Sequence, residues 1–359
     1  MNDIVRKWVG TWLFLGCAMV FFQVIVGGVT RLTESGLSIT EWKPVKGVVP
    51  PLNEAEWQKE FELYQQIAQF KTVNQDMTVE EFKWIYFWEY FHRFWARFMG
   101  LVFIIPFSFF VIKKWFDKDL FKKIGVLFLW GGVIGIYGWI MVRSGLTGMY
   151  VPPVHLSIHL LLALGLFAYL VWLTVYVLYG SKFVLLKNES ANSLQKILLA
   201  ISVLVTLQIF FGGIVSGMKA GLAYPTWPDM NGEIIPAALF SETATLAGFT
   251  KYNVADYWGR TAIQFAHRGA AYLIVAIVVF FFLKARKIEG NKIFNAALKL
   301  LPATVLLQAT IGIFTVINCV GSIPVGWGVL HQAGAMLLIA NVAVLWFGLN
   351  RTGRLNITE

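Results

Sequence analysis

The chain has 359 residues, of which 57% are hydrophobic and 14% charged, and its mean hydropathy is +0.65. That composition excludes an ordinary soluble domain and predicts an all-α integral membrane protein. The formal charge of +10 does not indicate nucleic acid, because the basic residues gather in short connections between apolar runs rather than on one soluble face.

Apolar runs close to the ~20 residues that cross a hydrocarbon core recur at 8–29, 88–112, 124–143, 154–179, 197–217, 263–283, 294–317 and 327–349. Eight transmembrane helices are predicted from them. The first run is overlong for a signal peptide and lacks a small-residue cleavage site, and the N-terminus has no Arg- and Ser-rich transit character. A bacterial plasma (inner) membrane is the expected location. Arg6 and Lys7, the lysines at 113, 114, 118, 122 and 123, Lys182, Lys187 and Lys196, then Lys284, Arg286, Lys287 and Lys292, and finally Arg351 and Arg354, fall on one side. Positive charge marks that side as cytoplasmic, with both termini inside.

Two outer segments are long, 30–87 and 218–262. Within the first, Trp57, Phe61 and Tyr64 recur at helical spacing among charged residues, which predicts an amphipathic helix on the outer surface. Tyr224-Pro-Thr-Trp-Pro-Asp229 in the second reads as a turn-rich cap. Either segment could cover a site or simply pack on helix ends. Cys17 falls inside the first helix and Cys319 in an outer connection, so no disulfide is expected, and Cys319 reads as inert.

The chain repeats itself. Gln23-Val-Ile-Val-Gly27-Gly28 matches Gln208-Ile-Phe-Phe-Gly212-Gly213 at an offset of 185, which also pairs Gly36-Leu37 with Gly221-Leu222 and Trp42 with Trp227. Beyond the longer first loop, His92-Arg93 pairs with His267-Arg268 at an offset of 175. Ile134-Gly135-Ile136 then pairs with Ile311-Gly312-Ile313, and Pro152 before His159 mirrors Pro324 before His331. Four helices per half is an even number, so two parallel-repeat four-helix bundles are predicted: 1–180 with the long outer loop, and 181–359.

Four of the five histidines, His92, His159, His267 and His331, fall at equivalent points near the outer face. Paired imidazoles from facing helices suit heme iron, whereas zinc would ask for three or four ligands, and no further Cys, Asp or His stands at ligand spacing. Gly27-Gly28, Gly131-Gly132 with Gly135, Gly212-Gly213 with Gly217, and Gly312 would admit a flat macrocycle, or serve close helix packing. Arg93 and Arg268 directly follow a candidate ligand and could pair with propionates, or snorkel at the interface. His155 shares the face of His159 but has Trp327 as its counterpart, so it reads as an accessory or structural residue. One asymmetry separates the halves: Glu89 stands three residues before His92, where the second half has Gln264 before His267. A carboxylate in an apolar stretch is costly and usually functional, unless it is solvated.

Over nearly its full length the chain resembles the heme A synthases. The resemblance is carried by Gly27-Gly-Val-Thr-Arg31-Leu-Thr with Gly36-Leu-Ser, Trp42-Lys-Pro44, Glu89-Tyr-Phe-His92-Arg-Phe-Trp-Ala-Arg97, Gly138-Trp-Ile-Met-Val-Arg-Ser-Gly145-Leu, Ala266-His267-Arg268 and Leu330-His331-Gln332. The long first loop without paired outer cysteines looks like the branch shared by proteobacteria and mitochondria. The resemblance implies oxygen-dependent hydroxylation of a methyl group on heme O, through an alcohol, to the formyl group of heme A for cytochrome oxidase. It further implies a heme b cofactor on His267 and His331, heme O as substrate at His92 and His159, and a catalytic role for Glu89 beside that pair. A membrane farnesyl transferase that makes heme O is the expected partner, along with lipid and an external electron donor. The oligomeric state is left open, a homo-oligomer included. Members commonly carry Tyr-Arg-Leu before the fourth-helix histidine, and here Val154-His155-Leu156 stands instead. Rival readings are a bis-histidine diheme cytochrome acting only in electron transfer, which two equivalent stations would suit better, and a transporter, which would place polar or broken helices at the midplane.

Overall fold

The computed structural model describes residues 2–41, 49–180, 189–240, 257–288 and 292–350. Trp42, Lys43, Pro44, Lys182, Lys187, Arg351 and Arg354 lie outside the described residues. Ten α-helices follow in chain order: α1 Asp3–Leu32, α2 Glu54–Gln65, α3 Ala68–Val73, α4 Val79–Ile112, α5 Lys118–Gly145, α6 Pro153–Tyr179, α7 Glu189–Gly217, α8 Tyr257–Ala285, α9 Lys292–Ile317 and α10 Val325–Asn350. Among the described residues no β-strand forms. All but α2 and α3 are long and apolar enough to cross a membrane, which makes eight candidate spans among the described residues.

The spans coincide with the apolar runs of the sequence, but most extend further. α4 begins at Val79 rather than 88, because Thr78 and Glu81 form a capping box and the polar first turns are helical although they are not apolar. α5 likewise starts on the Asp117 cap, whose carboxylate accepts from the Leu120 amide at 2.7 Å. Leu101, Ile104, Ile105 and Ile112 of α4, and Leu129 and Ile136 of α5, stay exposed. Such faces are stable only against lipid, where helices satisfy their own backbone.

α1, α6, α7 and α10 pack into a central group; α4 lies on α1, α5 on α6, α8 on α7 and α9 on α10. The main core runs through Leu13, Leu173, Leu198, Phe281, Phe294 and Leu345. Those residues sit toward the ends of α1, α6, α7, α8, α9 and α10 that lie away from the four histidines. The histidine-bearing end carries polar contacts between helices as well as packing. There, Arg31 donates to the Ser216 carbonyl at 2.6 Å, and Lys219 reaches Glu34 at 2.5 Å. Both contacts join residues 185 positions apart, the repeat offset itself. Glu34 and Lys219 also share a left-handed backbone, with φ of 60° and 53°.

The helix expected around Trp57, Phe61 and Tyr64 forms as α2. Its apolar face packs inward on the protein. Phe61 and Tyr64 pack with Leu37, Phe82, Ile85 and Tyr86 into a separate small core over the outer end of α4. Cys17 and Cys319 are both free and buried. Burial raises the Cys319 thiol to about 11, so it stays protonated and inert at neutral pH.

Candidate functional site

The four histidines fall on α4, α6, α8 and α10, each on the second helix of a sequential helix pair. Each imidazole lies against a glycine of the first helix in its pair. A Cβ on Gly27 would stand 2.8 Å from His92 Cε1, on Gly138 3.2 Å from His159, on Gly212 3.1 Å from His267, and on Gly312 2.9 Å from His331. At Gly27 and Gly312 a side chain would force the ring to move, and at Gly138 and Gly212 the ring would have to give by a few tenths of an ångström. These four glycines are therefore the ones tied to the candidate ligands.

This corrects the expected glycine roles. Gly131, Gly132 and Gly135 have nothing within 4 Å of an added Cβ and lie exposed on α5. They line no slot. In meeting a histidine, Gly138 does what Gly312 does in the second half, and it lies three residues beyond the Gly135 that the Ile-Gly-Ile match pairs with Gly312. Gly28 meets Gln332, Gly213 meets Ser157 and Gly217 meets Pro153, so these three serve close helix packing.

Four residues before the glycine, three of the pairs carry a glutamine aimed at the same ring. Gln23 Nε2 lies 3.2 Å from His92 Nδ1 and donates to the His92 carbonyl at 3.1 Å. Gln308 does the same for His331, at 3.2 and 2.8 Å, and Gln208 Nε2 stands 3.2 Å from His267 Nε2. Ligating histidines are typically oriented by donating the other ring N–H to a neighbouring acceptor, and the glutamine amide oxygens, which have no partner here, would supply that acceptor once turned to the ring. The sequence held this signal as Gln-x-x-x-Gly, read above only for Gln23 and Gln208.

His267 and His331 form the better-defined pair, with ring centroids 6.4 Å apart and planes at 74°. An iron about 2 Å from one nitrogen of each ring would set the centroids roughly 6 Å apart. The residues fit a bis-imidazole heme. Buried and without partners are His159 Nδ1, His267 Nδ1 and the amide oxygens of Gln23, Gln208 and Gln308. Such orphans mark a polar site rather than a sealed core. No group of three or more His, Cys, Asp or Glu is placed to hold a bare metal ion among the described residues.

Glu89 is 3% exposed, so it is not a solvated boundary residue. Its Oε2 accepts from Ser38 Oγ at 2.7 Å and from the Ile39 amide at 2.8 Å, while Oε1 pairs with Arg93. Arg93 also donates to the Ile39 carbonyl at 3.1 Å. The carboxylate thus ties the first outer segment to α4, one turn from His92. Gln264 keeps only the fold of this arrangement, donating to the Tyr224 carbonyl at 3.2 Å. Arg268 donates to the carbonyls of Asp229 and Tyr224 at 2.8 and 2.9 Å. Each arginine clamps an outer segment, a role the sequence reading did not foresee. Arg93 also lines a cleft with Ile39, Trp139 and Arg143. His155 does not point away from the ligand: its Nδ1 lies 2.9 Å from Tyr137 Oη, and the Tyr137 ring stacks on His159 at 6.5 Å and 15°.

Residues 10–343 match the cytochrome oxidase assembly protein family. The chain is similar to the heme A synthase of Parvibaculum lavamentivorans, 43% identical over 338 residues, 94% of this chain and 93% of the relative. It is similar to that of Nitrosospira multiformis, 41% identical over 343 residues, 95% and 93% of the two chains. The heme A synthase of Flavobacterium johnsoniae is 37% identical over 343 residues, 93% of this chain and 96% of the relative.

Proposed function

The chain belongs to the cytochrome oxidase assembly protein family, and from that premise we propose that it is a heme A synthase, a multi-pass membrane enzyme that oxidises heme O to heme A. The observation that carries the reading is the pairing of four histidines with four glycines, two pairs in each half of a chain that matches named heme A synthases almost end to end. The electron-carrier alternative is not favoured: Glu89 and its clamp have no acidic counterpart at Gln264.

The C-terminal half, 181–359, holds heme b between His267 and His331, and the N-terminal half, 1–180, receives heme O between His92 and His159. The contacts of Arg31 with Ser216 and Glu34 with Lys219 support two parallel repeats, since a residue meets its own counterpart only near a two-fold axis. Bound heme supplies the redox chemistry, with oxygen as oxidant for the methyl hydroxylation. The chain's own residues do the rest. Gln208 and Gln308 orient the imidazoles of the cofactor pair, and Gln23 orients His92. Glu89 holds negative charge one turn from His92, able to accept a proton or to stabilise positive charge as the methyl group is oxidised. Arg93 and Arg268 fix the outer segments over the two pairs and present guanidinium groups at the depth where propionates would lie.

The enzyme sits in a bacterial plasma membrane with both termini cytoplasmic, by the placement of its basic residues. It takes heme O from a farnesyl transferase and electrons from an external donor. Pigment analysis tests the reading. Protein expressed with a heme O source should carry heme O, the alcohol or heme A beside protoheme. Protoheme alone under those conditions refutes it.

A further inference from the structure

One of the four histidines is held differently from the others. With Gly138 equivalent to Gly312, the position equivalent to Gln308 is Ile134, and the position equivalent to Ile311 is Tyr137. His159 is thus the one candidate ligand whose pair lacks the glutamine. Its Nδ1 is buried with no hydrogen-bond partner; the same holds for His267 Nδ1, but the other nitrogen of that ring faces Gln208 at 3.2 Å, and no glutamine faces His159. Beside it stands Tyr137, which stacks on the ring and is itself tied to His155. The second half has Ile311 and Trp327 at those positions. Nor does a ring contact like that between His267 and His331 join His92 to His159.

We propose that His159 is the ligand that leaves the iron, and that Ile134, by standing where glutamine holds the other three imidazoles, is the residue that frees it. The proposal rests on the reading above that His92 and His159 hold the substrate heme. An amide bonded both to a ring nitrogen and to the carbonyl of the same histidine, as Gln23 and Gln308 are, fixes ring and backbone as one piece. A ring that lies on a glycine and a stacked tyrosine with no amide bonded to it can turn about its side-chain bonds without breaking a hydrogen bond. One buried hydrogen bond changes such an equilibrium about tenfold, or about 1.4 kcal/mol. Detachment would open one coordination position in the first half and none in the second, where Gln308 holds His331 at ring and backbone and Gln208 holds the His267 ring. Ile134 and Gln308 are therefore positioning residues, and Tyr137 with His155 is the surface against which His159 turns.

Carbon monoxide is the probe, since it binds ferrous heme only where a position is open. Purified full-length protein, reconstituted with hemin and reduced, should bind one carbon monoxide for every two hemes. Ile134→Gln should weaken that binding about tenfold and raise the low-spin fraction. Gln308→Ile should make the second heme reactive as well. An Ile134→Gln protein that holds two hemes and binds carbon monoxide as tightly as wild type overturns the proposal. So does a wild type in which both hemes react alike, or neither does, a result that needs no variant to fold. Heme content separates this failure from that of the underlying reading. Loss of one heme in His92→Ala with unchanged carbon monoxide behaviour in Ile134→Gln sinks the proposal alone. Unchanged heme content in both His92→Ala and His159→Ala sinks the reading of the first half, and the proposal with it.

Discussion

Replacing Glu89 by glutamine converts the first half to the residue that the second half already carries at Gln264. Glu89 is 3% exposed and Arg93 13%, so the pair is screened little by water. A glutamine carbonyl can still accept from Ser38 and Ile39, but its amide nitrogen then faces the Arg93 guanidinium, donor against donor. Removing one partner of a buried ion pair costs about 3–5 kcal/mol. Arg93 retains the Ile39 carbonyl and some solvent, which reduces the expected cost to about 2–3 kcal/mol, or roughly 30- to 150-fold in rate if it falls on the oxidation step. The main core lies at the other end of the bundle, so Glu89→Gln should fold and keep the heme of the second half. Extracted pigment should shift from heme A to heme O or the alcohol. Ser38→Ala breaks only a tie to the outer segment and leaves Glu89 paired with Arg93, so it should lose much less. Wild-type heme A yield from Glu89→Gln would refute the role given to the carboxylate, and equal losses in the two variants would reduce it to a loop clamp.

His267→Ala and His331→Ala should each abolish the low-spin heme b spectrum, and a full spectrum in both would refute the cofactor assignment. Gly212→Ala puts a methyl group 3.1 Å from His267 Cε1, so the ring must shift and the heme spectrum and midpoint potential should change, whereas Gly131→Ala, with open space around it, should behave as wild type in the same spectra. His155→Phe should keep most activity, because Tyr137 still stacks on His159; loss equal to that of His159→Ala would make His155 the ligand instead. Lys219→Glu strands two carboxylates at a site where Lys219 is 3% exposed, and should cost several kcal/mol, read as a lower melting temperature in detergent. Adding Glu34→Lys should restore much of that loss, and failure to do so would argue against a contact across the two halves.

What the sequence determined by itself was the membrane class, the eight spans, the internal repeat and the four histidines. Each depends on local pattern: a run of apolar residues long enough for a bilayer must span as a helix, and a charged or titratable residue inside it stands out against hydrocarbon. The Glu89 and Gln264 difference was legible for the same reason. Element ends were less so, because α4 continues through Glu80, Glu81 and Lys83 on the strength of its cap rather than its hydropathy. Only the tertiary structure decided which glycines matter. Gly135 and Gly138 sit one turn apart on α5, and nothing local says which one meets His159; a one-turn choice is settled by how α6 docks. The docking of α10 on α9 likewise gave His331 its glutamine, whereas α5 carries Ile134 at the corresponding place. Tertiary packing also placed Glu89 against Ser38 and Ile39, some 50 residues earlier in the chain. Contacts of that separation follow from the packing of helices and loops in three dimensions, which no hydropathy pattern along the chain specifies.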